Sequence, residues 1–185
     1  MIKNNLIFFK KNNVKYNDAF DLKEDLTIRI FKPTLLKLKP HKNKIFIYLF
    51  WYLFTFGKYK IIYVTNRDEK IVCYSHLLPK FFKFPFMAKQ DLHMGPSWTD
   101  PNYRGQGIFT YVKSHTLQTF HNKGVAFWAI VEKDNYPSIR VQLKNGFEIV
   151  GTGAKSKLLG RYEITCLLPA PARQNHVESR DMRCH

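Results

Sequence analysis

A glycine-bearing loop between a strand and a helix is the first feature of this sequence that could do chemistry. Residues 99–109 read TDPNYRGQGIF. The glycines would let the backbone approach a ligand closely, and the free N–H groups at the start of the following helix would point at an anion. Arg104 could add a charge-assisted hydrogen bond. The loop therefore predicts a site for a phosphorylated ligand, with an ordinary glycine-containing helix start as the alternative.

Two common phosphate-binding motifs do not describe this loop. It lacks the Gly-Lys-Ser/Thr ending of a P-loop, which argues against an NTPase. It also lacks the full G-x-G-x-x-G of a dinucleotide-binding fold. The loop by itself predicts an anion site without identifying the ligand.

A second segment, which follows a continuously apolar strand, reduces the number of ligands that the loop could bind. Residues 125–132 read VAFWAIVE and residues 135–147 read NYPSIRVQLKNGF. The ordered pair P-x-Y-R-G-x-G-I and N-x-x-S-I-x-x-x-x-K-x-G-F, one on each side of that strand, resembles the GNAT superfamily of CoA-dependent N-acyltransferases. The resemblance covers roughly Asp91 to Gly151, about a third of the chain.

This resemblance implies an acetyl-CoA site. Each binding position of the family motifs corresponds to one residue of this sequence. The loop from Arg104 to Phe109 would bind the pyrophosphate, and Trp98 and Thr99 would offer backbone groups to the pantetheine arm and the acyl carbonyl. Asn135 would contact the cofactor arm beside Ser138, which would start a helix. The implied cofactor-binding residues are Trp98, Thr99, Arg104, Gly105, Gln106, Gly107, Ile108, Phe109, Asn135 and Ser138.

Two positions depart from the family pattern. The family loop usually ends in Gly or Ala where this chain has Phe109, so the cleft would be reshaped. The family often has a Tyr, which reprotonates the CoA thiolate, where this chain has Gln142. The proton would then come from another group, such as Tyr136 or Tyr111, or from water.

Amine acylation also favours a base, because an amine must lose its proton before it attacks a thioester. Asp91 and His93 are candidates, since a spacing of two places both on one face of the strand that leads into the loop. Glu132, at the end of the apolar strand, is a third. For each there is a structural alternative: a buried and satisfied histidine, a strand-edge carboxylate, or a polar residue that ends a strand.

The net charge is +16, from 30 Lys and Arg against 14 Asp and Glu. The positive electrostatic field of such a protein attracts polyanionic ligands. An anionic small-molecule amine, such as a nucleotide-linked amino sugar, fits it as acceptor, and a protein or peptide amine is the rival. No nucleic-acid-binding motif accompanies the charge, so nucleic acid is not a predicted partner. The three cysteines form no C-x-x-C pair, and no metal site is predicted.

The longest apolar run is IFIYLFWYLFTF, residues 45–56. At twelve residues it is too short for a membrane span, which needs about 20. It predicts a buried or interfacial helix. The alternative is a peripheral contact with the inner face of a membrane, because lysines flank the run. The apolar stretch within residues 1–11 is too short for a secretory signal, so the predicted location is the cytoplasm.

The elements that must position these residues follow from the pattern of the chain. Strands are predicted at residues 6–9, 26–31, 61–64, 71–74, 90–99, 125–131, 147–150 and 162–168, and helices at 107–123 and 137–145. In the second helix Gly146 would end the helix, and Lys144 and Phe147 would be structural. The predicted fold is a mixed α/β domain, with a central, mostly antiparallel sheet flanked by helices, as in the GNAT family.

We expect a single domain over residues 1–167 and a disordered or non-native tail over 168–185. The predicted function is an N-acyltransferase that moves an acetyl group from acetyl-CoA to an amine. The alternative is a CoA-binding module without transferase activity. The sequence does not predict the oligomeric state.

Overall fold

Eight strands form one sheet in the computed structural model, which describes residues 5–12, 22–38, 45–157 and 159–169. The strands run in the order β2-β3-β4-β5-β6-β1-β7-β8. Only β5 and β6 pair in parallel; the other neighbours are antiparallel. The strand bounds are β1 Leu6–Lys11, β2 Thr27–Phe31, β3 Lys60–Thr65, β4 Ile71–Pro79, β5 Leu92–Thr99, β6 Phe127–Glu132, β7 Glu148–Lys155 and β8 Tyr162–Leu167.

Within the described ranges, three α-helices accompany the sheet: α1 Ile45–Thr55, α2 Ile108–Phe120 and α3 Tyr136–Lys144. One hydrophobic core contains Val112 and Leu117 of α2, with Ile139 of α3 packed against it. A second core contains Tyr48 and Trp51 of α1, together with side chains from residues 81–87. The predicted fold, a mixed and mostly antiparallel sheet flanked by helices, is confirmed.

The apolar pattern of β6 explains its central position. Phe127, Trp128, Ala129 and Val131 are all buried, because β6 pairs with β5 on one edge and β1 on the other and contributes to both cores. A strand covered on both faces has no solvent-facing side and therefore shows no polar alternation. The N-terminal strand β1 is inserted between β6 and β7, a long-range pairing that local sequence does not reveal.

Several predicted boundaries shift. The helix α2 ends at Phe120 rather than at Lys123, because His121 is already extended and Asn122 begins a turn that closes on Val125. Gly124, with φ +83°, lies in that turn rather than directly after the helix. In contrast, α3 ends at Lys144, one residue before its predicted end, and Gly146 follows with φ +70° after the end of the helix, as predicted.

The apolar run at residues 45–56 forms the helix α1, as predicted. Among the described residues, no helix has the length and hydropathy needed to cross a membrane. The predicted tail lies outside the described residues, apart from 168 and 169.

Candidate active site

The site begins where two parallel strands separate. β5 and β6 pair only at Leu92 with Phe127 and at His93 with Trp128. Beyond these pairs, Met94–Thr99 on β5 and Ile130–Glu132 on β6 line a cavity of about 830 Å³. Each strand is hydrogen-bonded to a neighbour on its outer edge only, so the inner edges face the cavity with backbone groups that can bind an extended ligand.

The loop after β5 closes one end of this cavity. Asp100 caps a short 3-10 turn, because its Oδ1 accepts a hydrogen bond from the N–H of Asn102 at 3.0 Å. Gly105 and Gly107 then adopt φ +74° and +78°, left-handed conformations that favour glycine. Gly107 directly precedes α2, whose first N–H groups have no acceptor within the helix.

Most of the predicted cofactor-binding residues meet at this cavity. Its lining includes Trp98, Thr99, Arg104, Gly105, Gly107, Ile108, Phe109, Asn135 and Ser138. Gln106 does not line it: its side chain donates a hydrogen bond to the Asn102 carbonyl and accepts one from Lys23 Nζ. Residues some forty positions apart thus share one site, because α2 and α3 both lead away from the same end of the sheet.

Three cations line the cavity: Arg104, Arg140 and Lys144. Arg104 is oriented by its Nε, which donates to the Thr99 carbonyl at 3.1 Å. Arg140 and Lys144 are one helical turn apart on α3 and therefore share a face. Lys144, which was predicted to be structural, thus lines the cavity, whereas Phe147 is buried as expected.

Asn135 is the N-cap of α3. Its Oδ1 accepts a hydrogen bond from the N–H of Ser138 at 3.2 Å, which stabilises the helix start. With Oδ1 engaged in this cap, the amide nitrogen of Asn135 is the group that can turn towards a ligand in the cavity.

Gln142 is a buried polar residue of this cavity that the motifs did not identify as a binding group. It is 3% exposed, it lines the cavity, and its Oε1 has no hydrogen-bond partner among the described residues. A buried amide oxygen without a donor is costly. The arrangement therefore suits a ligand that brings an N–H group.

The predicted base Asp91 lies outside the cavity. Its carboxylate accepts hydrogen bonds from the N–H of Ala88 at 2.9 Å, the N–H of Ala126 at 3.2 Å and the indole N–H of Trp128 at 2.8 Å. These bonds join the loop before β5 to the start of β6. The structure thus assigns Asp91 a structural role, contrary to its selection as a base.

His93, the second base candidate, is also absent from the cavity lining. It is buried and stacked on Phe84 with ring centroids 4.4 Å apart. Desolvation, with a smaller contribution from Lys113, lowers the pKa of His93 to about 3. The imidazole is therefore neutral at pH 7 but lies away from the cavity, which contradicts its selection as a base.

Glu132 is the base candidate that the fold brings into the cavity. It is the last residue of β6, and it is exposed there because the next residues turn into α3. Neither Tyr136 nor Tyr111, the tyrosines considered as acids, lines the cavity. Of the predicted ionisable groups, Glu132 alone is placed to exchange protons with a ligand bound between β5 and β6.

Sequence reasoning also missed the middle of β5. Met94, Gly95, Pro96 and Ser97 line the cavity, and here the pairing of β5 with β4 is irregular, between Ser75 and Leu77. His76 is the β4 residue within this irregularity, and its Nδ1 is 2.7 Å from the carbonyl oxygen of Pro96. The glycine–proline pair was the available signal, since both residues weaken a regular strand.

Comparisons with known proteins agree with this geometry. The model of the acetyltransferase (GNAT) family matches residues 26–147. A GCN5-related N-acetyltransferase-like protein from Streptococcus suis is similar in structure, with a TM-score of 0.53 and 12% identity over 80% of this chain and 58% of that one. An acetyltransferase of the GNAT family from Colwellia psychrerythraea gives a TM-score of 0.56 and 13% identity, over 80% of this chain and 54% of that one.

These solved structures are longer than this chain, which spans only a little over half of each. At such low identity the likeness extends to the fold. No significant match is found among curated protein sequences.

Proposed function

Because the chain belongs to the acetyltransferase (GNAT) family, we propose that it is an N-acyltransferase that uses acyl-CoA. It would move an acetyl or another short acyl group to an amine. The observation that carries the proposal is the cavity between the separated strands β5 and β6, closed by the glycine loop and lined by three cations.

The residues present fit a bound acyl-CoA. Two strand edges with backbone groups available can bind an extended arm that carries amides. Arg104, Arg140 and Lys144 supply positive charge for phosphates, beside the N-terminus of α2. The partnerless Oε1 of Gln142 can accept a hydrogen bond from an amide N–H. Phe109, where a smaller residue is usual, also lines the cavity.

Bound acyl-CoA would supply an activated acyl group as a thioester. The chain would position that group between β5 and β6, where backbone N–H groups can stabilise negative charge on a carbonyl oxygen. Glu132 would take up a proton from the acceptor ammonium, directly or through water. Holding both reactants in one cavity would supply much of the rate.

A direct test is calorimetric titration of the protein with acetyl-CoA. Arg104→Glu should weaken binding at least about tenfold, because a cation beside the phosphates becomes an anion. Lys123→Glu, the same change of charge in the turn after α2, is the control and should bind normally. A folded wild-type protein that does not bind acetyl-CoA, or equal binding by both variants, would contradict the proposed site.

For the acceptor, we propose an anionic small-molecule amine, with a nucleotide-linked amino sugar as the favoured class. The support is the net charge of +16, which attracts anionic substrates. The rival is an amine of a protein or peptide. Release of free thiol should be followed with both classes at equal concentration, and a higher kcat/KM for a peptide would overturn the proposed class.

A second candidate function is CoA binding without acyl transfer. It is supported by Gln142, whose amide cannot act as a proton donor in place of a phenol, and by the bulky Phe109, which lines the same cavity. Tight binding of acetyl-CoA without thiol release across a broad amine panel would favour this candidate. One efficiently acylated acceptor would exclude it.

A further inference from the structure

The helix α1 is apolar on both faces, yet the described residues of the chain cover only one of them. Tyr48, Trp51 and Thr55 point into the protein and are 3–5% exposed. The other face carries Phe46, Leu49 and Leu53, at a spacing of three and four residues, and Phe54; these side chains are 41–83% exposed. An exposed apolar stripe of this length on a helix marks an interaction surface.

The stripe continues beyond α1. Phe54 contacts Phe82 in the loop after β4, with ring centroids 5.0 Å apart, and Phe50 contacts the same ring at 5.8 Å. Phe56, just after the helix, is 86% exposed, and Phe82 is 36% exposed. We call these residues of α1, with Phe56 and Phe82, the aromatic face.

Two more exposed apolar residues belong to the same end of the molecule. β2 ends at Phe31, which pairs with Ile61 at the start of β3, and Lys60 pairs with Leu77 near the end of β4. The connections that leave this end of the sheet include the loop after β2. There Leu35 and Leu36 are 71% and 100% exposed.

The charge around the aromatic face has one sign. The described segments that form this end of the molecule, residues 30–38, 45–60 and 77–90, contain seven lysines and no acidic residue. Lys32, Lys37, Lys58 and Lys80 are exposed. In addition, Lys83 Nζ lies 4.7 Å from the centre of the Phe50 ring, so a cation borders the stripe itself.

From this combination we propose that the aromatic face is a docking surface for an anionic lipid bilayer. Aromatic and aliphatic side chains would enter the headgroup region while the lysines contact lipid phosphates. α1 would lie along the interface, since its eleven residues span only about 16 Å of helix.

The same features argue against other occupants. A second copy of the chain would bring two lysine-rich surfaces together, and like charges repel across an interface. Side chains such as Phe46 and Leu36, 83% and 100% exposed, stand clear of the surface. A bilayer can receive such protruding side chains without a complementary pocket, which a protein partner would have to provide.

The test is co-sedimentation of the whole chain with vesicles of phosphatidylcholine alone and of phosphatidylcholine with phosphatidylglycerol. We expect binding to the anionic vesicles that is at least tenfold tighter than to the neutral ones and that weakens with salt. Phe46→Ser with Leu53→Ser should weaken binding at least tenfold. Leu143→Ser with Leu167→Ser, two exposed leucines elsewhere, is the control and should bind as the wild type does.

Charge is tested separately by Lys58→Glu with Lys80→Glu, against Lys123→Glu with Lys133→Glu. Only the first pair should weaken vesicle binding.

No binding to anionic vesicles, or equal loss in test and control pairs, would overturn the proposal. A dimer in sedimentation equilibrium that Phe46→Ser with Leu53→Ser dissolves, without lipid binding, would instead assign the face to a second copy. Acetyl-CoA binding, measured in Phe46→Ser with Leu53→Ser, should not change, because this variant keeps the net charge; this result separates the proposal from the proposed function.

Discussion

At the scale of single residues, two carboxylates selected by the same reasoning separate into a structural group and a candidate base. Asp91 accepts three N–H hydrogen bonds outside the cavity, whereas Glu132 lines it. We expect Asp91→Asn to lower the free energy of unfolding by about 2–3 kcal/mol, because an amide oxygen replaces a charged acceptor. Glu132→Gln should keep that stability and lower kcat. Urea unfolding and thiol-release kinetics of both variants test this. A lower kcat in a stable Asp91→Asn protein, with a lower free energy of unfolding in Glu132→Gln, would make Asp91 the base and Glu132 the structural group.

Gln142 provides a second residue-scale prediction. Gln142→Leu removes a buried oxygen that has no partner, so stability should stay the same or rise. Acetyl-CoA affinity should nevertheless fall by roughly tenfold, since the hydrogen bond to a ligand N–H is lost. Thermal unfolding and calorimetry measure the two quantities. Normal affinity in a stable Gln142→Leu protein would show that the amide does not contact the ligand.

The burial of Lys113 leads us to expect that the free energy of unfolding depends on pH. This side chain is fully buried, and desolvation lowers its pKa from 10.5 to about 7. Between these values the unfolded chain holds a proton that the folded chain does not, so the free energy of unfolding should rise with pH from about 7 towards 10. Lys113→Met should remove this rise and stabilise the protein at neutral pH by roughly 1–4 kcal/mol. Urea unfolding at several pH values is the measurement, and a flat wild-type profile would contradict the prediction.

At the scale of elements, glycine in the loop before α2 serves two purposes that can be tested separately. It adopts a left-handed backbone conformation, and it lets the backbone approach the cavity. Gly105 and Gly124 both have positive φ, +74° and +83°, and a Cβ on either would meet nothing within 4 Å. Either change to Ala should therefore cost a similar amount of stability, about 1–2 kcal/mol. Only Gly105 lines the cavity, so Gly105→Ala alone should weaken acetyl-CoA binding. Equal affinities for the two variants would show that the loop does not approach the ligand.

At the scale of the whole molecule, the net charge of +16 acts on every anionic ligand. We expect acetyl-CoA affinity to fall roughly tenfold between 50 and 500 mM salt, because ions screen the field. S-acetylpantetheine, which lacks the phosphates, should bind more weakly and with little dependence on salt. Calorimetry at several salt concentrations compares the two ligands, and a salt-independent affinity for acetyl-CoA would show that charge plays little part.

The sequence by itself determined the loop, the helices and most strands, because these depend on neighbouring residues. Glycines and an Asn cap fix where α2 and α3 begin, and the apolar run of β6 fixes a buried strand. The motifs on either side of β6 selected ten candidate cofactor-binding residues, and nine of them line one cavity.

Only the tertiary structure decided which polar groups face that cavity. Asp91, His93 and Glu132 all lie at strand ends in the sequence, but the point where β5 separates from β6 places Glu132 inside and the other two outside. The sequence likewise did not show which face of α1 would be exposed, because the type of an apolar residue does not reveal whether other segments cover it. Burial depends on contacts between distant segments, and a local pattern does not specify these contacts.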